Sequence, residues 1–156
     1  MQIRNFKPSD SASLASIFHE AVRAVDRKDY DQAQVEVWSP KPVPADKFLA
    51  RVSDGRSVFV AVNKNDEPVA FIELEENGHI DCFYCHPDVV GTGVGTALYK
   101  RLESAALTLG LSRLYVEASE AARRFFDGKG FSLIERNDFR RNNVQIHNYL
   151  MEKNFR

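Results

Sequence analysis

The chain has 156 residues, 21 Lys and Arg against 22 Asp and Glu, and a formal charge of −1 at pH 7. That length suits one domain with a sizeable core, here residues 1–156. The balanced charge gives no bulk attraction to nucleic acid or anionic lipid, no apolar run approaches a membrane span, and Met1–Phe6 carries no signal-peptide core, so a cytoplasmic protein without nucleic-acid or membrane partners is expected.

Gln2 to Lys7 reads as a first strand. Pro8 and Ser9 open a helix with Leu14, Ile17, Phe18, Ala21, Val22 and Val25 at helical spacing. Asp26 to Lys47 is polar and irregular, broken by Pro40, Pro42 and Pro44, with Tyr30 and Trp38 standing out inside it. A short helix is expected around Ala45 to Val52. Ser57–Val62 and Pro68–Leu74 are strand-like runs joined by a hairpin loop at Asn63 to Glu67. Asn77-Gly78 marks a tight turn into a strand at His79–Cys85. A glycine-rich turn then opens a helix with Val94, Leu98, Leu102, Ala105 and Leu109 on one face and Gly110 as its C-terminal cap. Strands near Leu114–Ala118, Ser132–Glu135 and Val144–Met151, with a short helix from Glu120 to Phe126, complete the order β-α-α-β-β-β-α-β-α-β-β.

The glycine turn, Val90-Gly91-Thr92-Gly93-Val94-Gly95-Thr96, is the most informative stretch. A glycine-rich turn feeding a helix N-terminus is an anion site, because unpaired backbone N–H groups point outward and the macrodipole favours negative charge. Glycine lets a phosphate approach the main chain where a Cβ would block it. The dinucleotide pattern G-x-G-x-x-G does not fit, since the glycines fall at 91, 93 and 95 and position 96 is Thr. Nor does the ATP-binding P-loop, which needs a lysine that this turn lacks.

The turn resembles the pyrophosphate turn of the GCN5-related N-acetyltransferases: Gln or Arg, any two residues, Gly, any residue, then Gly or Ala. Gly93 and Gly95 occupy the two small positions, and Val90 replaces the usual Gln or Arg, a residue whose phosphate contact is made largely by its backbone. A second segment is similar to the family's Asn-x-x-Ala-x-x-Phe-Tyr stretch and its later Gly-Phe. Ser119 stands where Asn is common, Ala122 matches, Phe126 stands where Tyr is common, and Gly130-Phe131 matches. The resemblance covers the whole chain. It implies an α/β fold with a mixed, mostly antiparallel sheet, flanked by helices and splayed between its fourth and fifth strands. It implies acetyl transfer from acetyl-CoA to a primary amine of a small molecule or protein, and a possible homodimer, dimers being common in the family.

The same resemblance distributes the site. CoA pyrophosphate would meet Val90, Gly91, Thr92, Gly93, Val94, Gly95 and Thr96; pantetheine would run along Phe83, Tyr84 and Cys85, with Ser119 and Phe126 beside it. The Phe83 N–H is the candidate oxyanion donor. Arg123, Arg124 and Lys129 are further candidates for the phosphates. An alkyl amine has a pKa of about 10.4 and must lose a proton before it attacks. Strand alternation places His79, Asp81, Phe83 and Cys85 on one face against Ile80, Cys82 and Tyr84. Asp81, His79 and Glu73 are the candidate bases. Phe126 cannot donate a proton, which leaves Tyr149 as a substitute or a thiolate that departs unaided. Tyr30 and Trp38 fall on the acceptor side, where Asp26, Asp29, Asp31 and Glu36 could favour a cationic amine.

Cys82-Phe83-Tyr84-Cys85-His86 matches the haem-attachment pattern C-x-x-C-H. Residues three apart on a strand point to opposite faces, so the two thiols are expected to be free, with no metal or haem between them. Val90 and Phe126 keep a non-catalytic CoA-binding or sensor domain open as a second reading, and a purely structural module as a third.

Overall fold

The computed structural model describes residues 1–155. In chain order it contains β1 (Gln2–Asn5), α1 (Ser11–Arg23), α2 (Gln32–Trp38), α3 (Ala45–Val52), β2 (Ser57–Val62), β3 (Pro68–Leu74) and β4 (His79–Cys85). There follow α4 (Val94–Thr108), β5 (Arg113–Ala118), α5 (Glu120–Asp127), β6 (Ser132–Arg141) and β7 (Val144–Asn154). Among the described residues the seven strands form one sheet in the order β1-β2-β3-β4-β5-β7-β6. Every neighbouring pair is antiparallel except β4 with β5. Among the described residues no helix is long and apolar enough to cross a membrane.

The sheet separates two layers of core. On one face Leu98, Leu102 and Ala106 of α4 pack with Ile72, Leu74, Ile80, Leu114 and Val116. On the other, Leu14 and Ile17 of α1 and Phe48 of α3 pack with Val58, Val60 and Phe71. Alternation along β2 and β3 sends neighbouring residues to opposite layers, which is why both strands are apolar almost throughout.

Two elements differ from the sequence expectation. Helix α2 lies within the stretch read as irregular. Its start is a reciprocal cap: Gln34 N–H donates to Asp31 Oδ1 at 2.8 Å and Asp31 N–H to Gln34 Oε1 at 2.9 Å. The last two strands run on to Arg141 and Asn154, joined by Asn142 and Asn143 at φ 49° and 63°. Paired positive φ values give the turn whose twist suits a hairpin, and Asn tolerates them. The outer strand, β6, is polar along its edge, so it lacks the apolar signal by which strands are found.

The site is made by the parting of β4 from β5. They pair only at His79↔Tyr115 and Ile80↔Val116 and then diverge. Strand β4 also carries a bulge: Ile72 pairs with Phe83 but Leu74 with Ile80, so three steps on β4 match two on β3. This corrects the expected alternation. Ile80, Phe83 and Cys85 join the α4 layer, whereas Cys82 and Tyr84 face α1 and α3. His79 stacks on Tyr115 and Asp81 bonds Arg51 of α3, so neither shares the face of Phe83 and Cys85. Cys82 and Cys85 do lie on opposite faces.

The parallel start depends on Gly78, at φ +94°, where an added Cβ would stand 2.2 Å from Arg113 O. The Gly78→Ala variant is expected to lose about 2–4 kcal/mol, combining positive-φ strain with a backbone clash. It should unfold at a lower urea midpoint with an unchanged slope.

Candidate active site

A groove of about 630 Å³ runs between the parted strands, the glycine turn and the start of α5. Gly91 and Gly93 have φ +81° and +89°, and a Cβ on either would meet nothing within 4 Å, so both face open space. The first backbone bond of α4 is donated by Ala97 to Gly93 O at 3.1 Å, which leaves the amides of Val94, Gly95 and Thr96 ahead of the helical ladder. Gly95 is required for a different reason: a Cβ there would lie 3.1 Å from the Phe83 ring and 3.4 Å from Phe125. Lys129 donates to Thr96 Oγ1 at 3.1 Å, bringing a cation to the turn. Arg124 lines the groove but pairs with Asp29 at 2.8 Å, and Arg123 lies over the Tyr149 ring instead. The Thr92 hydroxyl turns away to donate to Val89 O at 2.6 Å.

The β4 edge offers donors. His86 N–H donates to Val69 O at 2.8 Å. Antiparallel hydrogen-bonded pairs alternate, so the amide of Tyr84 also faces β3 while those of Phe83 and Cys85 face the open side toward β5. A thioester carbonyl and a chain of amides can be met there without displacing a strand.

A second, smaller cavity of about 160 Å³ adjoins the groove, and Trp38, Phe83, Tyr84, Ser119 and Ala122 line both spaces. Ser119 is the N-cap of α5, its hydroxyl accepting from Ala122 N–H at 3.3 Å. Tyr30 is 2% exposed; its hydroxyl donates to His147 O and accepts from Glu120 N–H, so the ring is the part presented to the cavity. Phe126 is fully buried between Phe83 and Phe131 and borders this cavity, while Phe125 borders the groove. Asp26 and Asp29 border the groove and Asp31 is spent on its helix cap, so they do not supply negative charge to the smaller cavity. Asp81 and Glu117 do.

The three candidate bases have different settings. Glu73 is fully buried and lines neither space. Arg51 reaches its Oε2 at 2.6 Å and Arg56 its Oε1 at 2.8 Å. Burial raises its pKa, although the arginines oppose that. It is a structural anchor, not a base. His79 is clamped by Glu75 at 2.6 Å and Glu117 at 2.9 Å. Burial alone would lower its pKa, but these two carboxylates outweigh burial and push it up to about 9. A protonated imidazole at neutral pH has no lone pair to offer, so His79 is set aside too. Asp81 does border the smaller cavity, but its Oδ2 is shared by Arg51 at 2.9 Å and Arg56 at 2.7 Å. Glu73, Asp81 and Cys82, like Glu75, His79 and Asp81, have possible metal-ligand atoms within 4.8 Å of one another. Two guanidiniums already take the carboxylates of the first group.

Sequence reasoning missed the most organised polar group in the cavity wall. His147 Nε2 meets Glu120 Oε1 at 2.6 Å, and the Tyr149 hydroxyl donates to the same oxygen at 2.6 Å. His147 and Tyr149 are two apart on β7, so their shared face was readable, but nothing local announced that α5 would bring Glu120 to it.

Residues 26–153 match the family model described as "Acetyltransferase (GNAT) domain", and the chain belongs to that family. It is 31% identical over 135 residues to Uncharacterized N-acetyltransferase YafP of Escherichia coli K12, an alignment covering 86% of this chain and 83% of that protein. It is 36% identical over 83 residues to Peptidyl-lysine N-acetyltransferase YjaB of the same strain, covering 52% of this chain and 53% of YjaB. The crystal structure of a GCN5-related N-acetyltransferase from Rhodopseudomonas palustris superposes with a TM-score of 0.89 at 35% identity, over 99% of this chain and 95% of that one.

The clamp on His79 ties stability to pH. Its folded pKa is raised above the unfolded value of about 6.5, so the folded state holds the proton more tightly. The stabilisation is complete below about pH 6.5 and is lost as pH rises toward about 9. The stability gap between the native protein and His79→Gln should shrink across that window in urea unfolding. A proton titration followed by imidazole NMR should report the raised pKa directly.

Proposed function

We propose that the protein binds acetyl-CoA in the larger groove and transfers its acetyl group directly to a primary amine held in the smaller cavity. The observation that carries this reading is the shared wall: two spaces have Phe83 and Tyr84 of β4 and Ser119 at the end of β5 in common, so a thioester in one and an amine in the other can be brought together there. In this reading the pyrophosphate lies against residues 90–96, where positive-φ glycines leave room that a Cβ would fill. Pantetheine lies along the free edge of residues 83–85, completing the sheet as an added strand. The Phe83 N–H faces the thioester oxygen as it gains charge. Asp81, whose Oδ1 is free among the described residues while Oδ2 carries Arg51 and Arg56, offers the amine a hydrogen-bond acceptor in this cavity. Trp38 and Tyr30 supply the aromatic side of the acceptor space. Since YjaB is named a peptidyl-lysine acetyltransferase, a lysine-containing peptide belongs among the acceptors tested, beside amino acids and polyamines.

Thiol release from acetyl-CoA over that amine panel is the direct test. Tight CoA binding with no transfer to any amine would instead make the protein a CoA-binding sensor of the same fold. Two variants divide the site. Gly93→Glu places a carboxylate in the open space of the turn and should weaken CoA binding at least about 100-fold, as like charges in one site repel; calorimetry with unchanged affinity would move the phosphate elsewhere. Asp81→Asn keeps the shape and removes the charge. It should raise the amine KM by about 10- to 100-fold, the worth of a charge-assisted hydrogen bond, and leave acetyl-CoA affinity unaltered.

A further inference from the structure

We propose that His147, oriented by Glu120, takes the proton from the acceptor amine; this rests on the acetyltransferase reading above. Four observations converge on it. His147 lines the smaller cavity together with Asp81, so it borders the space proposed for the amine. Its Nε2 is 2.6 Å from Glu120 Oε1. A carboxylate accepts, so Nε2 carries the hydrogen, and in the neutral ring Nδ1 is then the atom with the lone pair. Among the described residues Nδ1 has no hydrogen-bond partner, unlike both nitrogens of His79. The ring is also held in place: it lies 5.3 Å from the Tyr30 ring at 31°, and the Tyr30 hydroxyl bonds the His147 carbonyl on one side and the Glu120 amide on the other.

Glu120 is held in turn. It takes the Tyr149 hydroxyl at 2.6 Å and stands in the first turn of α5, where a negative charge is favoured. A base oriented by a fixed carboxylate is the arrangement used for nucleophile activation on many folds. Here the nucleophile is supplied by the substrate. The ammonium gives one proton to His147 Nδ1. The nitrogen lone pair then forms the C–N bond to the acetyl carbonyl carbon, and the C–S bond breaks. The second nitrogen proton goes to the departing thiolate, and His147 returns its own proton to solvent. Asp81 and His147 divide the work: Asp81 Oδ1, free while Oδ2 carries both guanidiniums, accepts a hydrogen bond from the amine, and the unpaired imidazole nitrogen removes its proton.

Asp81, Glu117 and Arg141 line the same cavity as His147. Glu120 and Arg123 come from α5, Tyr30 from the segment before α2, and Tyr149 from β7 itself. Asp138 lies opposite His147 on β6 and is paired with Arg136 at 3.1 Å. Their hydrogen bonds are already committed: the Tyr30 hydroxyl donates to His147 O, the Tyr149 hydroxyl donates to Glu120, and the same Glu120 oxygen takes His147 Nε2.

The test uses acetyl-CoA and the best acceptor from the amine panel. His147→Gln retains an N–H for Glu120 and removes the base. It should lower kcat about 100-fold or more while acetyl-CoA affinity stays within twofold, and the acidic limb of the kcat/KM profile should disappear. Glu120→Gln keeps the side chain's shape but can offer an N–H to Nε2, favouring the tautomer with its hydrogen on Nδ1. It should lower kcat at least about tenfold with acetyl-CoA binding intact. Near-native kcat and an unchanged pH profile in His147→Gln would overturn the proposal. So would a pure rise in amine KM in both variants, which would make His147 a binding residue only. A native protein that binds acetyl-CoA but acetylates no amine would overturn the acetyltransferase reading first, and this one with it.

Discussion

The parting of β4 from β5 is the constraint on which the rest depends, and it is enforced from a distance. Two paired residues hold the strands together at one end. Beyond them the bulge at β4 changes which side chains face which layer. Opposite the bulge lies Glu73, fully buried, with both carboxylate oxygens taken by guanidiniums. A carboxylate buried without partners costs several kcal/mol. Any slip of β3 against β4 would therefore carry Glu73 away from Arg51 and Arg56 and expose that penalty. Arg51 comes from α3 and Arg56 from the turn before β2, so one network ties α3, β2, β3 and β4 into a single register. Its replacement by apolar groups need not unfold the protein, since buried ion pairs often contribute more to specificity than to stability.

The same register sets the spacing between the two ends of the groove. Gly95, in the first turn of α4, touches Phe83 on β4 so closely that a single methyl would force them apart. The amides proposed for the pyrophosphate and the amide proposed for the thioester oxygen are therefore fixed relative to one another by a direct contact. Phe125 closes the third side, stacking near Phe83 with centroids 5.0 Å apart. Rigid placement of this kind is what lets backbone donors act without reorganising during the reaction. The glycines divide accordingly: 91 and 93 keep a space open, while 95 keeps a gap closed.

Most of the element order and the glycine turn were legible because they rest on local signals, and the splay of the sheet followed from the family resemblance. Glycines at 91, 93 and 95 after an apolar strand mark a turn, and Asn77-Gly78 marks the entry to β4. The acceptor side was less legible because its groups are brought together across long separations. Arg51 and Asp81 are 30 residues apart, and His147 and Glu120 are 27 apart. Period-two alternation also fails at a bulge, which is why Asp81 and Phe83 were read onto one face. His79 looked free because neither Glu75 nor Glu117 is distinguishable in sequence from a solvated surface charge. Helix α2 was hidden by its length of 7 residues, too short to establish a period, although Asp31 and Gln34 have capping-box spacing.

The two departures from the family pattern bear unequally on the chemistry. Val90 is 67% exposed, and what it offers the turn is backbone, which the substitution leaves in place. Phe126 removes a hydroxyl from the position at which the family commonly has Tyr; the neighbouring Phe83, Phe125 and Phe131 carry none, and the hydroxyl of Tyr99 is donated to Glu103. The relative acidities show why that loss is tolerable. A thiol with a pKa of about 8.5 leaves a tetrahedral adduct more readily than an amine of about 10.4, so collapse toward product needs no acid. The amine, by contrast, starts more than three pKa units on the wrong side of pH 7, a deficit of about 5 kcal/mol before any bond forms. The step that most needs a side chain is the removal of that first proton. The proposed base, His147 oriented by Glu120, answers that need, whereas the thiol asks for no counterpart.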